Sequence, residues 1–270
     1  MRKENVISRE YKVMLRSSLF AGREEELLKA ASKFWHEFEQ AIEAIVIDTS
    51  GDLDKITNRR TIKFFDTDKH DLYRNNYIFR ERQNINTRER EVTLKFRHPD
   101  RYISQDRNMA AANANGDKKK FEEDIKPPFL TLYSFSCTQK IPETKILNKM
   151  KDPAGLYPDL PDKLDHYAEG QELKVINGFI ARELVISGAG FQIGKTPKLD
   201  SECGLIVWYD NNSNEEKPVV AEFSFRYGDK DESYTRNIAY RAYQVFRILQ
   251  ENLTLWTDPE SETKTAYVYS

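Results

Sequence analysis

Apolar and polar residues alternate along Ser8–Leu15, with Tyr11, Val13 and Leu15 on one side and Glu10 and Lys12 on the other. A period of two predicts a strand. The spacing then changes. Leu27, Leu28, Ala31, Phe34, Trp35 and Phe38 recur at helical intervals, which predicts an amphipathic helix over 22–43. Alternation returns near 61–66, 77–83, 91–97 and 119–125, and again near 181–187, 204–210 and 219–227. Each of these stretches reads as a strand. Ile238, Tyr240, Ala242, Val245, Phe246 and Leu249 predict a second helix over 233–252, and the tail offers a short strand at 265–269.

Between these elements the chain is punctuated. An Ala/Asn-rich polar stretch at 106–117 reads as a hairpin loop, and the run NNSN at 211–214 as a turn. Pro127 and Pro128 break the strand pattern, and Pro142, Pro153, Pro158 and Pro161 follow. The stretch 127–178 is therefore expected to form short helices and loops covering one side of the sheet. No internal repeat or linker composition appears, so the expectation is one domain over 1–270.

Composition narrows the class. The 270 residues carry 42 basic and 44 acidic side chains, a net charge of −2, so no global field for nucleic acid exists and any anion site is a local concentration of Lys and Arg. Charged residues reach 32%, yet aromatics reach 12%, which separates the chain from disordered polyampholytes. No apolar run is long enough to span a membrane as a helix, and MRKENVISREYKVML holds no signal-peptide apolar region. A cytoplasmic protein with two ordinary thiols, Cys137 and Cys203, is the expectation.

The charges on the predicted strands are sorted. Side chains of a strand alternate between two faces, so Arg80 and Arg82 share one face, as do Lys95 and Arg97, while Glu122 and Asp124 share another. Glu222 and Arg226 oppose Ala221, Phe223 and Phe225. Any sheet with one wet face places polar residues opposite apolar ones, and each strand alone fits that plain reading. A wet face ordinarily mixes signs, because like charges across strands repel. Here two strands offer only cations and a third only acids, while the apolar face is rich in aromatics that helices must cover. The pattern predicts an α+β fold: a β-barrel with a charged lumen and helices packed outside. Clustered cations call for a polyanion, which Arg grips through its planar fork, and neighbouring acids call for a hard cation such as Mg²⁺ or Mn²⁺.

These residues stand in an order that resembles the CYTH, or triphosphate tunnel metalloenzyme, superfamily. Its opening strand, E-x-E-x-K, is matched by Glu10 and Lys12, with Ser8 in place of the first Glu. Its aromatic-aromatic-Asp-Thr strand is matched by Phe64, Phe65, Asp66 and Thr67, and its R-x-R by Arg80 and Arg82. Lys95 stands in the T-L-K strand with Arg97 beyond it, and Glu122 and Asp124 form the acidic strand. Arg182 falls where the family often has a basic residue, and Glu222 matches the last E-x-E strand, with Ser224 replacing its partner. The resemblance implies an eight-stranded antiparallel tunnel. It implies Lys12, Arg80, Arg82, Lys95, Arg97 and Arg182 as binders of a triphosphate or polyphosphate molecule, with Lys12 and Glu222 catalytic. Glu10, Glu122, Asp124 and Glu222 would hold Mg²⁺ or Mn²⁺. The implied activity is metal-dependent hydrolysis of a triphosphate-containing substrate, the alternatives being a non-catalytic polyphosphate-binding module and a class IV-type adenylate cyclase.

Two decoys are set aside. The segment from Ala189 to Thr196, AGFQIGKT, fits a permissive phosphate-loop pattern, but Pro197 follows it and no helical periodicity begins there, so it reads as a β-turn region. Asp66, beside a turn, is expected to order the backbone rather than bind a ligand.

Overall fold

A computed structural model describes residues 4–113, 117–213 and 215–270; residues 114–116 of the expected hairpin loop and Asn214 of the expected turn lie outside the described residues. In chain order the elements are β1 (Ser8–Leu15), α1 (Glu24–Ile42), β2 (Asp48–Ser50), β3 (Ile56–Asp66), α2 (Asp71–Arg74), β4 (Tyr77–Asn84), β5 (Arg90–His98) and α3 (Arg101–Gln105). They continue with β6 (Lys118–Lys126), β7 (Leu130–Ile141), α4 (Lys151–Leu156), β8 (Lys174–Lys195), β9 (Lys198–Asp210), β10 (Val220–Tyr227), α5 (Arg236–Glu251) and α6 (Lys264–Tyr269).

The strands pair in the order β2-β8-β3-β4-β5-β7-β6-β1-β10-β9, and a further pairing of β8 with β9 closes the sheet. The barrel wall thus has nine strands, with β2 appended to β8, where eight were expected. It is also mixed rather than wholly antiparallel: β1 runs parallel to β6, with Ser8 opposite Glu122 and Tyr11 opposite Ile125. The ninth wall strand is β7, which falls in the stretch expected to be loops and short helices. Its inward positions are Leu130, Leu132, Ser134, Ser136 and Thr138, and its outward ones Tyr133, Phe135, Cys137, Gln139 and Ile141, so a period of two is present. Hydroxyls on one face and the prolines before it hid that signal.

The long strand β8 serves β2, β3 and β9 at once, which requires it to bend. Its register against β9 shifts between Ser187 and Gly190. Gly188 there adopts a φ of 137°, and a Cβ on Gly190 would stand 2.6 Å from the Ser201 carbonyl oxygen. Only glycine satisfies both demands.

The tail differs from expectation too. Residues 264–269 form the helix α6, not a strand, and the Thr263 hydroxyl caps it by accepting from the Ala266 amide. Val268, 1% exposed, packs with Ile62, Phe64, Ile78, Trp208 and Val220, so α6 seals apolar side chains of the barrel at one end.

The apolar faces of the strands point outward and are covered, as the sequence pattern predicts. Against α1 and α5 lie Tyr11, Phe223 and Phe225; Phe34 of α1 meets Phe223 edge-on at 4.9 Å, and Tyr11 stacks on Phe225 at 4.7 Å. A second cluster, around Phe79, Leu94, Phe96 and Phe121, sits under the segment containing α4, where the buried Tyr157 donates to the Cys137 carbonyl at 2.9 Å. Each such ring contributes about 1.5–3 kcal/mol by leaving water. With the apolar faces committed outward, the opposite faces, and their charges, are left to the lumen. Among the described residues no helix is long and apolar enough to cross a membrane. The segment Ala189–Thr196 lies on β8 and its turn into β9, with no helix at its end, in keeping with the β-turn reading.

Candidate functional site

The barrel encloses a cavity of about 1450 Å³. Eleven Lys and Arg side chains and seven carboxylates line it among the described residues, an excess of four positive charges inside a chain whose net charge is −2. Glu10, Lys12, Arg80, Arg82, Lys95, Arg97, Glu122, Asp124 and Glu222 all face this one space, so strand parity assembled them correctly.

Asp124 of β6 is the node of the site. It is 2% exposed, and it accepts from Lys12 of β1 at 2.8 Å and from Lys95 of β5 at 3.0 Å, with Arg97 Nε at 3.9 Å. Burial pushes its carboxyl upward, but Lys12, Lys95 and Arg97 outweigh that and hold it well below the usual carboxylate range. Lys12 also contacts Glu10 at 2.8 Å and, despite burial, is held above the ordinary lysine value by Asp124 and Glu10. Lys95 goes the other way. Burial, with Arg97 and Lys12 beside it, lowers its pKa to about 8 in spite of Asp124.

A second cation group has less to hold it. Arg80 is pushed down by burial and by Arg82, with Arg97 and Arg60 adding to the repulsion. Its Nε has no hydrogen-bond partner and it forms no ion pair among the described residues. Arg60 lies 3.5 Å from Glu183, whose carboxylate also accepts from Trp208 Nε1 at 2.9 Å. Arg82 lies 3.8 Å from Glu91. A buried guanidinium without a counter-ion is costly, and an anion in the lumen removes that cost.

Several lining residues were not picked out from sequence: Arg60, Lys126, Glu183 and Lys264. On β3 the inward face mixes Asn58 and Arg60 with Ile62 and Phe64, so no sorted charge marked it. Lys126 ends its strand, and Lys264 comes from α6, which reaches in to pair with Glu222 at 2.7 Å. Thr265 beside it accepts from Arg97 at 3.2 Å.

Arg182 is a correction. It lies outside the lumen, over the Tyr209 ring at 4.3 Å and 3.1 Å from Glu216, while its neighbour Glu183 points in. Arg182 shares its parity with the buried, outward Leu184 and Ile186, and that parity was readable in the sequence. Ser224 stands opposite Lys12 and lines the cavity; Ser8 stands opposite Glu122. Asp66 accepts from the amides of Thr67, Leu72 and Tyr73 at 2.8, 2.9 and 3.0 Å, which is the backbone-ordering role expected of it.

The donors expected to hold Mg²⁺ or Mn²⁺ are of the right kind, hard carboxylate oxygens, but they are not arranged as a ligand set. Among the described residues no three acidic, histidine or cysteine side chains converge. Ammonium groups occupy the positions a metal needs: Lys12 between Glu10 and Asp124, and Lys264 on Glu222. The residues as placed do not fit a divalent metal.

No family model and no curated protein matches the chain. Solved structures do. A candidate adenylyl cyclase from Hippeastrum, described as having a dominant triphosphatase activity, matches at 12% identity over 97% of this chain and 95% of its own, with a TM-score of 0.45. A candidate adenylate cyclase from Bacillus halodurans matches at 13% identity over 100% of both chains, with a TM-score of 0.42. Another from Vibrio parahaemolyticus matches at 11% identity over 99% of this chain and 100% of its own, with a TM-score of 0.38. At such scores the likeness carries no argument about activity. The chain resembles the CYTH superfamily in the order of its motifs, and it has the closed barrel, charged lumen and outer helices which that resemblance implies.

Proposed function

We propose that the chain binds the phosphate chain of a triphosphate-containing molecule in the barrel lumen and hydrolyses one of its phosphoanhydride bonds. The observation that carries this reading is the excess of cations lining the lumen, above all Arg80, which forms no ion pair among the described residues. Arg80, Arg82, Lys95 and Arg97 stand on adjacent strands β4 and β5 and present three forks and an ammonium to one space. Fixed positive groups in a low-dielectric cavity stabilise charge that develops on a transferred phosphoryl group. Lys12, on the opposite side of Asp124, extends the same surface.

A second reading, a binding module without turnover, is favoured by one specific observation. Lys12 and Lys264 already pair with Glu10, Asp124 and Glu222, three of the four acids that the resemblance assigns to Mg²⁺ or Mn²⁺. Phosphate release from tripolyphosphate, ATP and thiamine triphosphate separates the two, measured with Mg²⁺, with Mn²⁺ and with chelator; assaying cyclic AMP from ATP covers the cyclase alternative. Phosphate release that falls at least about tenfold in Arg80→Ala supports the enzyme, and an absolute need for a divalent metal contradicts the placement of Lys12 and Lys264 on the lumen acids. Tight binding with no product under any condition replaces it with the binding module. No binding of any polyphosphate overturns both.

A further inference from the structure

Glu222 of β10 is buried in the lumen, and its ion pair is made with a residue from outside the barrel wall. Lys264, the first residue of α6, reaches in and places its ammonium 2.7 Å from the Glu222 carboxylate. The same ammonium lies 5.9 Å from the centre of the Trp208 ring, and Trp208 donates to Glu183 at 2.9 Å. Burial pushes the Glu183 carboxyl up, but Arg82, Lys264 and Arg60 outweigh it and hold the group below its ordinary value. Lys264 therefore acts on two lumen carboxylates, one on β10 and one on β8.

This lysine is not on a loose arm. The Val268 carbonyl of α6 accepts from Asn177 at 3.1 Å, and Tyr267 meets Phe179 edge-on at 5.4 Å. Tyr269 stacks on Tyr73 at 4.2 Å while its hydroxyl donates to Asp66 at 3.1 Å. Beside Lys264, the Thr265 hydroxyl accepts from Arg97, so the start of α6 is set between the acids and the cations of the lumen. A polyphosphate entering this space meets Glu222 and Glu183 as well as the arginines. Bare carboxylates repel it, and a bound divalent cation is one way to cancel that repulsion. A fixed ammonium is another. It carries three donors, so contact with Glu222 leaves others for phosphate oxygens. Two neighbouring positions agree with this: Ser224 opposite Lys12 and Ser8 opposite Glu122 offer hydroxyls, which leave less negative charge to cancel.

We propose that Lys264 is a resident cation of the lumen: it holds the place on Glu222 that a divalent metal would otherwise fill, and its ammonium binds the phosphate chain, so that polyphosphate is bound without metal. The proposal rests on the reading of the lumen as a polyphosphate site and adds which group of this chain stands in for the metal.

The test combines calorimetric titration of the full chain with tripolyphosphate in chelator and, in separate samples without phosphate or chelator, paramagnetic resonance of added Mn²⁺. Wild type is expected to bind tripolyphosphate in chelator and to leave the free Mn²⁺ signal unchanged. Lys264→Gln is expected to lose at least about tenfold in tripolyphosphate affinity. It is also expected to take up Mn²⁺, and the double variant Lys264→Gln, Glu222→Gln to take up none. Lys264→Arg keeps the charge and should stay within about threefold of wild type for tripolyphosphate. Melting curves confirm folding, and Lys264→Met, which keeps the alkyl stem, replaces the Gln variant should that one unfold. An ion pair that only anchors α6 predicts a lower melting temperature with unchanged tripolyphosphate affinity. The proposal is overturned if wild type binds tripolyphosphate only with Mn²⁺, if Lys264→Gln binds it in chelator as wild type does, or if that variant takes up no Mn²⁺; in each case the polyphosphate reading stands. Absence of tripolyphosphate binding to wild type, with and without Mn²⁺, overturns that reading first and this inference with it.

Discussion

Replacing Lys95 by Met is expected to stabilise the empty protein and to abolish most of its response to polyphosphate. Lys95 is a buried ammonium whose pKa falls from 10.5 to about 8, through burial first and then through Arg97 and Lys12, even with Asp124 in contact. At about 1.4 kcal/mol per tenfold, that drop means the protonated side chain costs the fold about 3 kcal/mol. Removing one member of a buried pair normally destabilises, because the other charge is stranded. Asp124 is not stranded here, since Lys12 remains at 2.8 Å. Met keeps the alkyl bulk, so a net gain of about 1–3 kcal/mol at pH 7 follows. The pH dependence has a defined sign. A lysine with a lowered folded pKa binds fewer protons folded than unfolded between about 8 and 10.5, so wild type gains stability as pH rises through that window. The advantage of Lys95→Met is therefore full below pH 8 and closes toward 10.5. Urea unfolding at low salt from pH 7 to 10 measures it, with tripolyphosphate added in a parallel series. Wild type should gain stability with the ligand, as any protein does whose native state alone binds it, and the variant should gain far less. A variant destabilised by more than about 1 kcal/mol at pH 7, with a gap that does not vary with pH, refutes the electrostatic account.

Other substitutions probe the remaining parts of the site. Arg80→Ala should lower tripolyphosphate affinity by at least about tenfold in calorimetry, the loss of one charge-assisted contact, without lowering the melting temperature of the empty protein. Asp124→Asn should cost about 3–5 kcal/mol in urea at pH 7, because Lys12, Lys95 and Arg97 lose their shared anion. Since the folded pKa of Asp124 is depressed, that contribution is present above the ordinary carboxyl range and disappears as pH falls below about 4, so wild type and Asp124→Asn should converge in acid. Arg182→Ala should leave tripolyphosphate affinity within about twofold of wild type, because its side chain lies over Tyr209 on the outer wall; a tenfold loss contradicts that placement.

What could be read from the sequence depended on how cleanly each strand separates its faces. β4 and β5 pair Arg80, Arg82, Lys95 and Arg97 against Phe79, Val92, Leu94 and Phe96, so both strand and site followed from one alternation. β7 faces Ser134, Ser136 and Thr138 inward, and hydroxyls beside prolines look like loop, so a whole wall strand was lost and the strand number with it. The parallel pairing of β1 and β6 had no local signature, because it joins residues more than a hundred positions apart. Arg182 was misplaced by following a motif position over the parity of Leu184 and Ile186. Lys264 was out of reach for another reason: which tail residue meets Glu222 is settled only when α6 docks on Val220 and Trp208.

The position of β1 bears on how the chain is made. β1 lies between β6, to which it is parallel, and β10, which begins at Val220. Emerging from a ribosome, Ser8–Leu15 must therefore wait for some two hundred further residues before its second edge is covered. Until then Lys12 has at most one wall beside it, and Glu222, which ends up on the neighbouring strand, has not been synthesised. Long-range pairings of this kind pay loop closure before any contact repays it, which places the chain among slow folders. During that wait Tyr11, Val13 and Leu15 lie on an open edge, the state in which an alternating strand is most prone to pair with another chain. Recovery of soluble protein should accordingly respond to slower synthesis more strongly than to any substitution inside the lumen.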